Sequence, residues 1–168
     1  ALPYPAQSDA PNGPSQILAL ANALEGVRSS GHAVLNADFT FTSDGFNYLV
    51  PLTAVISNGP TLPTSYRYTV PKAGTWWVTA QARITRGTPS ASTYTMLIRK
   101  NSGDSVAGGS TVAAAWGPGS ADMNMMTTIP LVLAAGDYLQ MFVTGLNTSV
   151  LKGSGNFATY MALRFEGL

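Results

Sequence analysis

The chain has no cysteine, one histidine (His32) and a charged fraction of only 10% over 168 residues, against about 25% in an ordinary soluble domain. Without cysteine there is no disulfide and no thiolate metal site, and a lone imidazole cannot supply the clustered ligands that zinc needs. Nine basic and eight acidic residues give a net charge of +1. With no basic stripe to displace counterions from a row of phosphates, nucleic acid is excluded as a partner. No apolar run approaches the roughly 20 residues of a membrane span, so no membrane insertion is expected. The first residues lack the basic-then-apolar order of a signal peptide, and Ala1 reads as the residue left after removal of an initiator methionine, the mark of a soluble protein made without secretion. A surface so poor in charge suits stable assembly or an exposed structural role.

The titratable groups are as unpromising for catalysis. The eight acids are Asp9, Glu25, Asp38, Asp44, Asp104, Asp122, Asp137 and Glu166. Most stand beside Gly, Ser or Asn, where Asp bonds nearby backbone in turns. No spacing brings two carboxylates together for glycoside cleavage, and Asp137, directly after Gly136, reads as a turn residue. His32 follows Ser29-Ser30-Gly31 in what looks like a linker, and no nucleophile-elbow pattern occurs. Asp104 or Asp122 could hold calcium with loop carbonyls, but no ligand spacing supports it. The chain is therefore expected to be no enzyme and to carry no cofactor and no metal.

What is present is 17 Gly, 11 Pro and many short runs of period two. The most regular lies between Gly74 and Thr85. There Trp76, Val78, Ala80, Ala82 and Ile84 fall on one side and Trp77, Thr79, Gln81, Arg83 and Thr85 on the other, as in a half-buried antiparallel strand. Pro71 cannot donate to a ladder and Gly74 tolerates positive φ, which predicts a hairpin corner joining this strand to Tyr66–Val70. Further strands are predicted over Ala33–Phe41, over Tyr48–Ile56 with Pro51 forcing an edge or bulge, and over Thr93–Lys100 with Tyr94, Met96 and Ile98 inward. Met123–Leu133, Tyr138–Thr144, Ser149–Leu151 and a closing strand with Phe157, Met161, Leu163 and Phe165 follow. Turns are marked by Asp44-Gly45, Asn58-Gly59-Pro60, Thr88-Pro89-Ser90, Asn101–Asp104 and Ala134–Asp137. Eight to ten short strands at this spacing predict a sandwich or barrel.

Trp76, Tyr138, Phe142, Phe157 and Phe165 are candidates for the core or for packing about an assembly axis. Trp116 differs, since Trp116-Gly117-Pro118-Gly119 reads as a loop. An exposed Trp there is the candidate surface-recognition residue, able to stack on a sugar or anchor a protein; the alternative is a ring folded back over the end of the sandwich. Ahead of the strands, residues 1–31 read as an extended Pro-rich arm followed by a helix opened by Asn12-Gly13-Pro14. Ile17, Leu20, Leu24 and Val27 recur at a/d spacing, with Ala21 on the same stripe. They are the candidate trimerisation and attachment residues, the alternative being a helix docked on its own domain. Residues 32–168 form the second unit.

Four elements in order resemble the C1q/tumour-necrosis-factor-like jelly rolls. They are Val70-Pro71-Lys72-Ala73-Gly74-Thr75-Trp76-Trp77-Val78, Met96–Asn101, Leu131–Leu139 with its Gly136-Asp137, and Asn156–Leu163 with its early Phe157. The resemblance implies an all-β, antiparallel jelly-roll sandwich that assembles as a homotrimer about its inner sheet. Trp77 departs from the smaller residue usual there, and the first two strands align poorly. The segment Pro3–Ala21 is similar to linkers of bacteriophage tail-fibre and minor structural proteins. Together these resemblances imply a homotrimeric virion structural protein, a capsid decoration, head fibre or short tail fibre. Its arm would grip other virion proteins and its jelly roll would contact a host surface glycan or protein. The alternative is a soluble carbohydrate- or receptor-binding C1q-like module.

Overall fold

The computed structural model describes residues 15–18, 20, 29–58, 66–85, 93–103, 109–118, 122–153 and 158–167, the side chains of 54–58, 116 and 118 excepted. They form twelve strands: β1 (Ser30–Val34), β2 (Phe39–Thr40), β3 (Asn47–Leu49), β4 (Thr53–Asn58), β5 (Tyr68–Thr69), β6 (Gly74–Thr85), β7 (Thr93–Lys100), β8 (Ser110–Pro118), β9 (Met123–Leu133), β10 (Tyr138–Thr144), β11 (Val150–Leu151) and β12 (Tyr160–Gly167). A seven-stranded sheet runs β2-β11-β6-β12-β1-β4 with β9 on β6, and a five-stranded sheet runs β3-β10-β7-β8 with β5 on β10. All pairings within them are antiparallel. The expected all-β, antiparallel jelly-roll sandwich is the architecture observed.

Period-two alternation places the core between the sheets. Trp76, Val78, Ala80, Ala82 and Ile84 of β6 are all buried, as are Met161 and Leu163 of β12. Facing them are Tyr94, Met96 and Ile98 of β7 with Leu139, Met141 and Val143 of β10. Polar atoms in this layer have partners: Tyr94 Oη lies 2.8 Å from Ser149 Oγ, and Trp76 Nε1 donates to the Lys72 carbonyl at 3.3 Å. The phenol of Tyr68 is the exception, buried with no hydrogen-bond partner among the described residues, and burial holds its pKa far above the ordinary range.

Four expectations are corrected. The Pro71–Gly74 segment is no hairpin corner, because β5 pairs with β10 while β6 lies in the opposite sheet. It is a crossover, and Gly74 at φ 139° lies where a Cβ would come within 2.5 Å of the Gly167 carbonyl. Likewise the strand predicted over Tyr48–Ile56 is two strands in two sheets. β3 joins β10, β4 joins β1, and Pro51 sits in the passage between them. The Ala33–Phe41 strand ends at Val34 and resumes at Phe39. In between, Asp38 turns outward to pair with Lys152 and accept the Gly153 N–H at 2.9 Å. Finally, Trp116 is not in a loop: its backbone lies in β8, opposite Thr95 of β7.

At the N-terminal end, residues 15–18 and 20 are helical, and Ile17 and Leu20 are 69% and 42% exposed. Leu24 and Val27 lie outside the described residues, as do the arm over 1–14, Phe157 and the turns after Asn58 and Thr85.

Candidate interaction face

One surface of the seven-stranded sheet covers the core, and the other carries the side chains that alternate outward. The strand registers arrange these into rows across the sheet. Ser30, Arg164, Trp77 and Pro130 stand opposite one another in one row. His32, Ala162, Thr79 and Thr128 form the next, and Val34, Tyr160, Gln81 and Met126 the third. Residues directly opposite across antiparallel strands bring their Cβ atoms within about 5 Å of each other. In the middle row Ala162, Thr79 and Thr128 are small beside Trp77 and Arg164 of the first, which leaves a trough along that ridge with His32 at its end.

The trough is a concavity of about 580 Å³, lined by Trp77, Thr79, Thr128, Ala162 and Arg164 and closed at one end by Ser30 and His32. Its floor is knitted by Thr79 Oγ1 and Thr128 Oγ1, 3.2 Å apart. The imidazole of His32 meets the Tyr160 ring edge-on, with centroids 5.4 Å apart. Among the described residues no carboxylate lines the trough. Toward the free side of β9 the face grows more apolar, with Met126 61% and Val132 81% exposed.

Trp77, whose face the sequence left open, points away from the core and forms a ridge of this trough. His32 was read as a linker residue; it sits within β1, paired with Ala162. The signal for both was available, since Trp77 and His32 each alternate with buried neighbours, but a single strand does not tell which rows adjoin. The helical Ile17 and Leu20 are not among the residues lining the trough.

The shifted carboxylates lie elsewhere and are structural. Burial disfavours the charged form of Asp137, but Asn101 Nδ2 at 2.8 Å, the Ala134 N–H at 2.9 Å and Lys100 Nζ at 3.3 Å outweigh it and lower the pKa. The hydrogen bond from Lys152, then that from the Gly153 N–H, lowers the pKa of Asp38. Among the described residues no three His, Asp or Glu side chains come together to hold a metal, and no helix is long and apolar enough to cross a membrane.

No protein-family model matches the chain, and no curated protein matches it. Solved structures do. Eiger TNF from S. frugiperda superposes with a TM-score of 0.63 at 16% identity, over 83% of this chain and 93% of that one. Murine APRIL superposes with TM-scores of 0.61 and 0.63 in crystals at pH 5.0 and pH 8.0, at 14% and 15% identity, over 83% of this chain and 99% of APRIL. The fold is the tumour-necrosis-factor-like jelly roll. The expectation of a bacteriophage virion protein is corrected by the same comparison: the superposed structures are Eiger TNF from S. frugiperda and murine APRIL, and no match supports a phage-type arm. That expectation rested on Pro3–Ala21, a segment recognisable only by its Pro-rich and Ala/Leu-rich composition.

Proposed function

We propose that the chain is a homotrimeric, receptor-binding module, with the copies packed through the outward face of the seven-stranded sheet and a protein partner held on the flank. The observation that carries the reading is the relief of that face. A ridge formed by Trp77 and Arg164 stands beside a trough floored by Ala162, Thr79 and Thr128. A ridge of one copy fits the trough of the next, and the uncharged floor loses little on leaving water.

The partner is read as a protein from Phe46, which is 65% exposed. Its turn is braced to the corner after β10: Gly45 N–H donates to the Gly145 carbonyl at 3.0 Å, and Gly145 N–H donates to the Phe46 carbonyl at 2.8 Å. The Asn147 N–H donates to Asp44 Oδ1, and Thr144 Oγ1 donates to Asn47 Oδ1 at 2.7 Å. An apolar anchor held rigid within a polar rim is the anatomy of a protein–protein hot spot. Light scattering at micromolar concentration tests the assembly. The expected mass is three times the 17.5 kDa of the chain, and a mass of one chain overturns the reading.

A further inference from the structure

We infer that assembly through the trough is controlled by protons: copies close over His32 as the neutral imidazole and separate when it is protonated. The inference rests on the proposed packing through this face, and deepens it.

His32 is the only histidine in the chain, and cysteine is absent. Histidine is the side chain whose ordinary titration falls between pH 5 and 8, so no second side chain of ordinary titration competes with it there. Its position makes the charge costly to cover. The ring closes one end of a trough that has no carboxylate among the described residues, in T-shaped contact with the Tyr160 ring. On β12, which packs beside β1, the nearest full charge facing the trough is the Arg164 guanidinium. Arg164 stands opposite Ser30, one row from His32, about 7–8 Å away along the sheet diagonal. Among the described residues Arg164 is in no ion pair. The carboxylate of Glu166 lies on the far side of Arg164 from His32 along β12. On the other flank β4 (Thr53–Asn58) contains no titratable residue. Beyond β12, β6 presents Trp77 and Thr79 to the trough, and its one cation on this face, Arg83, stands two rows past Thr79.

A protonated His32 therefore meets a like charge and, among the described residues, no carboxylate in the trough. While the face is open, water screens both cations. Once a second copy covers the trough, that screening is lost and the charged imidazole is disfavoured. The sign follows from linkage. The assembled state prefers the neutral ring, so assembly is strongest above the ordinary histidine range and weakens as pH falls through it. The loss is about tenfold in association constant for each imidazole whose titration assembly displaces by one pH unit.

The experiment is sedimentation equilibrium of the full chain at pH 7.5 and pH 5.5 at one ionic strength, for the wild type, His32→Gln and Arg164→Gln. Wild type is expected to associate at least tenfold more weakly at pH 5.5. His32→Gln is expected to associate equally at both values, and Arg164→Gln to keep a smaller drop. Wild-type association that is unchanged or tighter in acid overturns the inference while leaving the packing intact. So does an acid-induced drop that persists in His32→Gln. A chain monomeric at both pH values overturns the packing, and the proton control with it.

Discussion

Gly31 of β1 lies against the ring of Tyr68, which reaches it across the sandwich from β5 in the other sheet. A Cβ at Gly31 would come within 2.6 Å of Tyr68 Cε1 and 3.1 Å of its hydroxyl oxygen. Glycine is required at this point of β1 because the largest ring contributed by β5 needs the space that a methyl group would take. The same contact explains why β1 continues as a strand with no side chain at its first inward position.

Gly31→Ala is accordingly expected to destabilise the fold by about 1–3 kcal/mol, the usual cost of overpacking a tight core. Tyr68→Phe is expected to act in the opposite direction or not at all, since it removes a buried hydroxyl that has no partner; an unsatisfied buried polar group costs about 1–3 kcal/mol. Urea unfolding of both variants checks the pair. A loss of more than 1 kcal/mol in Tyr68→Phe would mean that the hydroxyl is bonded in solution.

Asp137 sets the acid limit of the domain. Its carboxylate ties the turn after β9 to the end of β7 through Asn101, the Ala134 N–H and Lys100, and these bonds lower its pKa in the folded state despite burial. A depressed carboxylate stabilises the fold fully above its ordinary pKa near 3.8. That contribution fades as pH falls through the lower folded value. Asp137→Asn is therefore expected to lose about 1–3 kcal/mol at neutral pH and to show a flatter fall in stability from pH 5 to pH 2. Thermal unfolding across that range measures both effects.

Which parts of this were legible beforehand follows from the range of each signal. The inward faces of β6 and β7 were readable because period two is a local property, and Trp76, Val78, Tyr94 and Met96 announce it residue by residue. The two sheets were not separable. Pro71 and Gly74 favour a corner whether the chain turns back on itself or crosses to the opposite layer, and Pro51 likewise marks an interruption without saying which sheet receives β4. Trp116 misled because Gly117-Pro118 resembles a loop. Yet β8 ends the five-stranded sheet, where Pro118 at the last position of the strand breaks no interior ladder. The trough was least visible of all. It exists only because Ala162, Thr79 and Thr128, drawn from three strands 34 to 83 positions apart, fall into one row.

Lys72 offers a check on the crossover. Its ammonium lies 4.0 Å from the centroid of Phe165, and burial lowers its pKa. The Phe165 ring packs in turn at 5.1 Å from Trp76. Lys72→Ala is expected to cost about 0.5–2 kcal/mol through the lost cation–π contact and stem packing. Lys72→Arg should retain most of that, since guanidinium also stacks on aromatic rings. Chemical denaturation of the two variants gives the comparison, and an equal loss in both would mean that the charge over the ring contributes nothing.

Filling the trough separates assembly from folding. Ala162 faces outward from β12, between Thr79 of β6 and His32 of β1. A longer polar side chain there occupies the space a neighbouring copy needs without entering the core. If the copies pack as proposed, Ala162→Gln is expected to run as a single chain in light scattering at concentrations where the wild type runs as a trimer. An assembled protein gains stability by mass action, so its unfolding midpoint rises with concentration. The midpoint of Ala162→Gln should therefore no longer depend on protein concentration, while its far-ultraviolet circular dichroism stays that of the wild type. If Ala162→Gln kept the full trimeric mass, the copies would have to meet through another surface, and the ridge of Trp77 and Arg164 would need a different occupant.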